Sequence, residues 1–289
     1  MVPTAPKPPL SGKTVLVSGG SRGIGLAIAK RAGRDGANVV LLAKTDQPHP
    51  KLEGTIHTAA AEVEAAGGQA LPIVTDIRQP AEVQAAVEKA VERFGGIDIL
   101  VNNASAIRLT GTAETSVKRY DLMHEVNGRG TYACAYACLP FLKKAQNPHI
   151  LTLSPPLNLR PEWFGPYPAY AVTKYTMSLF AMAWAEEFRA FGIASNALWP
   201  RTTIGTAAIK NIIGGEEMMQ KSRTPDIMAD AAHHILSQPS QGCTGSFFID
   251  DEVLLAAGVR DLSVYDIVSG AELQGDLFLD PLPGIKPIS

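Results

Sequence analysis

Cysteine is scarce in this chain. The 289 residues hold three, Cys134, Cys138 and Cys243, and so odd and sparse a set builds no disulfide framework. Cys134 and Cys138 stand four apart in an apolar stretch, the spacing of neighbours on one helix face, and read as buried thiols. The six histidines are scattered. His233 and His234 are adjacent, hence about 100° apart on a helix. No third ligand is spaced to join them, so no metal site is expected.

A dominant charge is missing too. Twenty-six basic residues face 28 acidic ones, for a net charge of -2, and no basic block occurs. Neither nucleic acid nor an anionic membrane is then a favoured partner. No apolar run approaches the about 20 residues that span a bilayer. Residues 1–10 carry four prolines and lack the apolar core of a secretory leader. They read as an extended arm, and the expected location is cytoplasmic. No repeat, low-complexity tract or linker divides the rest of the chain. Residues 11–289 are expected to form one domain, with a C-terminal extension from about 251.

What is present is a regular alternation, in a chain 46% hydrophobic and long enough to bury one large core. The short, nearly continuous apolar run at 13–18 reads as a strand buried on both faces of a parallel sheet, and the runs at 38–43, 69–75, 97–101, 149–153, 193–198 and 245–250 read as further strands. Helical patterns lie between them, at 54–66, 80–94, 116–142 and 169–191 among others. Pro80 sits in the first turn of its helix and Gly95–Gly96 stand just past its end. This order predicts an α/β fold: a doubly wound parallel sheet of Rossmann type, helices on both faces, with right-handed crossovers.

Two motifs carry chemistry. Gly19, Ser21, Arg22, Gly23, Ile24 and Gly25 form a glycine-rich turn between the first strand and the helix after it. Glycines let the backbone approach a pyrophosphate, and the helix start offers unpaired N–H groups and positive dipole. Far along the chain, Tyr170 and Lys174 lie four apart on one helix face. An ammonium beside a phenol favours the phenolate, which suits general acid–base work near neutral pH.

With Asn102-Asn103-Ala104, Val126-Asn127 and Ser154 between them, these motifs keep the order of the short-chain dehydrogenase/reductase superfamily. The chain resembles that superfamily over roughly residues 11–250. The stretches from Ala43 to Leu52 and from Leu153 to Leu159 look closest to its hydroxysteroid dehydrogenase-like branch, whose larger members carry a sterol-carrier domain. No such domain fits in the 39 residues after Asp250, so the resemblance implies the catalytic half alone. It implies that Tyr170 exchanges a proton with the substrate oxygen and that Lys174 binds the nicotinamide ribose. Asn127 would hold a relay water, Ser154 would polarise the substrate oxygen, and Asp76 would bind the adenine amino group. Asn103 and Ala104 would face the adenosine side, and Thr206, in Ile204-Gly-Thr206, would read the carboxamide. Dimers or tetramers built on long helices are also implied.

Cofactor choice turns on the residue just after the second strand. An acid there holds a ribose 2′-hydroxyl, and a base accepts a 2′-phosphate. This chain has Lys44 and no acid until Asp46, with Arg22 as a second cation, so NADP is expected over NAD. Three departures from the family pattern stand out. Ser105 replaces a glycine after Asn-Asn-Ala. Ser154 lies sixteen residues before Tyr170, farther than the pattern sets it, with Thr152 as the weaker candidate. Arg201 succeeds Pro200 where glycine is usual, and is placed to enter the active site or its rim and favour an anionic group. Trp163, Phe164, Trp199, Met218 and Met219 are expected to line an apolar substrate region.

The resulting expectation is an NADP-dependent oxidoreductase that moves hydride between nicotinamide and a hydroxyl or carbonyl of a lipid-like small molecule. Two rivals are a non-catalytic nucleotide-binding regulator on the same fold and an epimerase or dehydratase. The intact Tyr170, Lys174 and Asn127 weigh against the first, and the lack of a longer substrate domain against the second.

Overall fold

Every residue of Thr14–Ser18 (β1) is buried, and its alternating side chains serve two different cores. Val15 and Val17 join the layer formed with the first helix, while Leu16 joins the opposite layer, as period-two alternation in a two-sided sheet requires. In this computed structural model, which describes residues 7–48, 54–283 and 285–286, the chain continues through Gly23–Arg34 (α1), Asn38–Ala43 (β2), Ile56–Ala65 (α2), Gln69–Val74 (β3), Pro80–Phe94 (α3) and Ile99–Asn102 (β4). Next come Val117–Met123 (α4), Thr131–Leu142 (α5), His149–Thr152 (β5), Pro168–Glu187 (α6) and Ala194–Trp199 (β6). Gly215–Gln220 (α7), Asp226–Leu236 (α8), Phe247–Ile249 (β7) and Asp250–Ala256 (α9) come after these, and Leu273–Gln274 (β8) pairs with Ile285–Lys286 (β9).

The main sheet has seven strands in the order β3-β2-β1-β4-β5-β6-β7, all parallel. Strand order reverses between β1 and β4, and the crevice beyond their carboxyl ends is where such folds bind ligands. One core packs α1, α2 and α8 on the sheet, the other α3, α5 and the end of α6. A third cluster, rich in aromatics, sits past the carboxyl ends of β5 and β6.

Three expectations change. The single helix over 116–142 is α4 and α5 joined by a π-helical turn, His124–Gly130. Gly130 packs so closely that a Cβ would come 2.6 Å from Ile77. The end of the N-terminal arm is not extended: Ser11 donates to the Pro8 carbonyl at 3.0 Å, and Leu10 is buried with its amide on Asp35. Residues 1–6 of the arm, and 49–53 of the loop after β2, lie outside the described residues. Third, α7, α8 and α9 carry helical structure that the strand-and-helix pattern did not isolate. Among the described residues no helix is long and apolar enough to cross a membrane.

Candidate active site

The turn after β1 is built by close backbone approach. Gly19 takes φ 68° and Gly23 φ 57°, the left-handed region that favours glycine. At Gly25 a Cβ would lie 2.5 Å from both the Asn103 side chain and the Gly19 carbonyl. Asn103 fixes the turn by donating from Nδ2 to the carbonyls of Ser18 and Gly19, each at 3.0 Å. The start of α1 is thereby held open beside β4, with no side-chain cap on its first amides.

A cleft of about 590 Å³ is lined by Gly19, Ser21, Arg22, Gly23 and Ile24, and by Lys44, Asp76, Asn103, Ala104 and Thr206. Gly25 lies outside this lining, as packing behind the turn. Lys44 stands just past the end of β2 with its side chain 57% exposed and Nζ 3.8 Å from Asp76. Asp76 receives the Arg78 guanidinium through both carboxylate oxygens, which holds its carboxyl below the usual range. Arg22 donates from Nη2 to the Gly54 carbonyl at 2.9 Å, while its buried Nε has no partner. The residues fit a dinucleotide: a glycine cradle that a Cβ at Gly19 or Gly25 would fill, a helix start, and two cations in the lining.

The cleft runs into a smaller chamber of about 190 Å³, the two sharing Ile24, Asn103, Ser105, Ile107, Thr206 and Ala208. Tyr170 and Lys174 of α6 line the chamber with Leu153, Trp199, Asp276 and Leu277. Lys174 is 2% exposed, donates to the Leu153 carbonyl at 2.5 Å and stands 5.0 Å over the Trp199 ring. Burial draws the Lys174 ammonium down to about 7. Burial also pushes the Tyr170 phenol well above its ordinary value, and the Asp276 and Tyr167 charges act in the same direction. The expected lowering of the phenol by Lys174 does not prevail in the protein alone, because both groups are desolvated together.

Asn127 is fully buried in the π-helical turn. Its amide grips the Ala106 main chain, accepting from N–H at 2.7 Å and donating to the carbonyl at 2.9 Å, and it donates to Thr173 at 2.9 Å. Ser154 is 1% exposed with an unpartnered hydroxyl, and so is the Thr152 hydroxyl. Neither lines the chamber; the Leu153 carbonyl between them reaches Lys174.

Two expectations about the rim are corrected. Arg201 does not face the chamber: its guanidinium pairs with Asp251 at 3.1 Å and with Glu252. The carboxylates that open α9 capture it, so it offers nothing to an anionic substrate. Of the five apolar residues, Trp199 lines the chamber, while Trp163 and Phe164 pack in the aromatic cluster and Met218 and Met219 sit on α7 away from the lining.

The C-terminal segment supplies what the motif reading missed. Phe278, fully buried, lies at the centre of the aromatic cluster, with ring centroids 6.3 Å from Tyr170, 5.4 Å from Tyr175 and 5.8 Å from Trp199. Its φ is 71°. Trp199 donates from Nε1 to the Leu277 carbonyl at 2.9 Å, and the Asp276 amide donates to the Arg201 carbonyl at 3.0 Å. The only signal for this was an apolar run, Leu277 to Leu279, beyond the last strand of the expected sheet.

Comparison with known proteins agrees with this geometry. The short chain dehydrogenase family model matches residues 13–216. Hydroxysteroid dehydrogenase-like protein 2 of Rattus norvegicus is 56% identical over 98% of this chain and 53% of its own length. The protein of that name from Xenopus tropicalis is 55% identical over 98% of this chain and 67% of its own. The chain therefore spans between about half and two thirds of these relatives. A crystal structure of a short chain dehydrogenase from Mycobacterium thermoresistibile superposes with TM-score 0.90 at 57% identity, covering 96% of this chain and all of that one. An NADH-dependent reductase solved with NAD superposes with TM-score 0.67 at 25% identity over 83% of this chain and 95% of its own. The chain belongs to the short-chain dehydrogenase family, in its hydroxysteroid dehydrogenase-like branch, and is an oxidoreductase of the nicotinamide-cofactor kind.

Proposed function

We propose that this chain is an NADP-dependent enzyme that interconverts a hydroxyl and a carbonyl on an apolar, lipid-like small molecule. The observation that carries this reading is the continuity of the two cavities. A cleft bearing Arg22 and Lys44 opens into a mainly apolar chamber with Tyr170 and Lys174 in its wall.

When bound, the cofactor supplies hydride exchange at its nicotinamide ring. The residues supply the rest. Gly19, Ser21, Gly23 and Ile24 hold the phosphates against the start of α1, with Gly25 packed behind them. Asp76 and Ala104 border the adenosine, and Thr206 borders the nicotinamide end. Tyr170 gives or takes the proton at the substrate oxygen. Lys174, drawn to about 7 by burial, passes readily between its charged and neutral forms near neutrality and serves the proton path and the ribose. Asn127 holds the Ala106 main chain and the turn that faces α6. Ser154 is the candidate for polarising the substrate oxygen, which requires its buried hydroxyl to turn toward the chamber.

Screening ketones and alcohols with NADPH oxidation as the readout tests the reading, and product identity for any active compound defines the substrate. A second reading, a nucleotide-binding regulator, draws on Ser154 lying outside the chamber lining. Tight NADPH binding without turnover on the panel would favour it.

The chain is read as a homodimer or homotetramer because its family builds such assemblies on long helices, and α5 and α6 expose Tyr132, Tyr136, Leu179 and Met182, apolar side chains that a subunit contact would cover. Light scattering on the purified protein decides this. A cytoplasmic location is read from the three free cysteines, which suit a reducing compartment.

A further inference from the structure

Among the described residues lining the chamber, Asp276 is the only acid and Lys174 the only base. The carboxyl arrives from the C-terminal segment and is fixed there by main-chain bonds: its amide on the Arg201 carbonyl, and its Oδ1 accepting from the Leu277 amide at 2.7 Å. No donor among the described residues reaches Oδ2. Lys174 directs its ammonium to the Leu153 carbonyl and Met177 instead, so the carboxyl of a residue that lines the cavity keeps one oxygen without a donor among the described residues.

The chamber then has a charge balance of its own. Lys174 brings one positive charge, and an oxidised nicotinamide ring brings a second into the same small, mainly apolar space, where like charges repel strongly. A reduced ring brings none. We infer that Asp276 is the counter-carboxylate for the oxidised ring, so that this site discriminates the redox state of its cofactor through a residue of its C-terminal segment. The inference rests on the nicotinamide reading of the site. Tyr167 just before α6, Tyr170 and Lys174 of α6 and Asp250 of α9 act on Asp276 electrostatically, and Arg201, Asp280 and Lys286 border its other side. In the protein alone burial pushes the Asp276 carboxyl up to about 7. An arriving cation favours its ionised form, so binding the oxidised cofactor releases a proton, and affinity rises with pH until Asp276 is already ionised.

The test is calorimetric titration of NADP⁺ and NADPH at pH 6 and pH 8, in buffers of different ionisation enthalpy. Wild type should bind NADP⁺ roughly five- to tenfold tighter at pH 8, with proton release at pH 6, while NADPH changes far less. Asp276→Asn should lose the difference and the proton release, and Asp276→Glu should restore them. Full proton release in Asp276→Asn would assign the effect to Lys174 and overturn the inference. Equal pH dependence for the two cofactors in wild type would overturn it without any variant. Failure of both cofactors to bind would overturn the nicotinamide reading itself, which sets that outcome apart.

Discussion

Lys44, just past β2, stands half in solvent 3.8 Å from Asp76, and that position sets what it can contribute. A charge-assisted bond to a 2′-phosphate is worth about 1.5–3 kcal/mol when well formed. Exposure and salt screening reduce this, and so does sharing Asp76 with Arg78. A preference for NADP over NAD of about tenfold or more is expected, since 1.4 kcal/mol is a factor of ten. It should weaken as ionic strength rises. Lys44→Asp adds repulsion toward the phosphate and an acceptor for a ribose hydroxyl, so the preference should reverse. Titrations of NADPH and NADH on both proteins check this, and equal affinities in the wild type would remove the basis for the cofactor assignment.

At the scale of elements, the chamber is closed by a segment that belongs to no layer of the fold. Phe278 contacts five rings, those of Trp163, Tyr167, Tyr170, Tyr175 and Trp199, with centroids between 5.4 and 6.5 Å. Aromatic contacts of this kind add to the burial of a large apolar side chain. Its φ of 71° is a strain that packing has to offset. Phe278→Ala keeps the strain and empties the cluster, so a loss of about 3–5 kcal/mol is expected in denaturant unfolding. A loss below about 1 kcal/mol would mean the segment is not held by this ring.

The same elements explain what was legible from sequence. The inner strands of the sheet announced themselves because burial on both faces demands unbroken apolar runs, as in Val15-Leu16-Val17, whereas the edge strands β3 and β7 are only partly buried. The glycine turn was legible because backbone approach at Gly19 and Gly25 excludes every side chain. Tyr170 and Lys174 share the chamber as their spacing required. Asp276 and Phe278 were not legible, since their places depend on a tertiary path fixed by main-chain bonds to Arg201 and by the Trp199 indole. Arg201 was misplaced for a related reason. Its partners Asp251 and Glu252 lie about fifty residues on, and no local pattern links them. The π-helical turn at 124–130 was hidden because a helical period continues through it on either side.

For the whole molecule, protonation links stability to pH through buried groups, one of them remote from the chamber lining and two near the C-terminal segment. Burial draws the His149 ring down to about 4, with its Nε2–H donating to the Gln238 carbonyl at 3.0 Å. A group whose folded value lies below its unfolded one, near 6.5, favours the neutral form in the fold. Its contribution is complete above 6.5 and is lost as pH falls from there toward 4. Asp250 and Asp276, each pushed up to about 7 by burial, act in the opposite direction over the range between 3.8 and 7. His149→Gln keeps both carboxyls and a donor for Gln238. The stability difference between wild type and variant should therefore shrink by about 3 kcal/mol between pH 7 and pH 4. A constant difference would show that His149 is not buried neutral.

The oxidoreductase account as a whole depends on one proton. Tyr170→Phe keeps the ring that packs against Phe278 and removes only the hydroxyl. With the compound found most active in the NADPH screen, affinity for NADPH and turnover should be measured on the same preparation of each protein. The account predicts an NADPH affinity close to that of wild type and a turnover lower by about 10²–10⁴-fold. Turnover within a few-fold of wild type would contradict it, and would move the acid–base chemistry away from Tyr170.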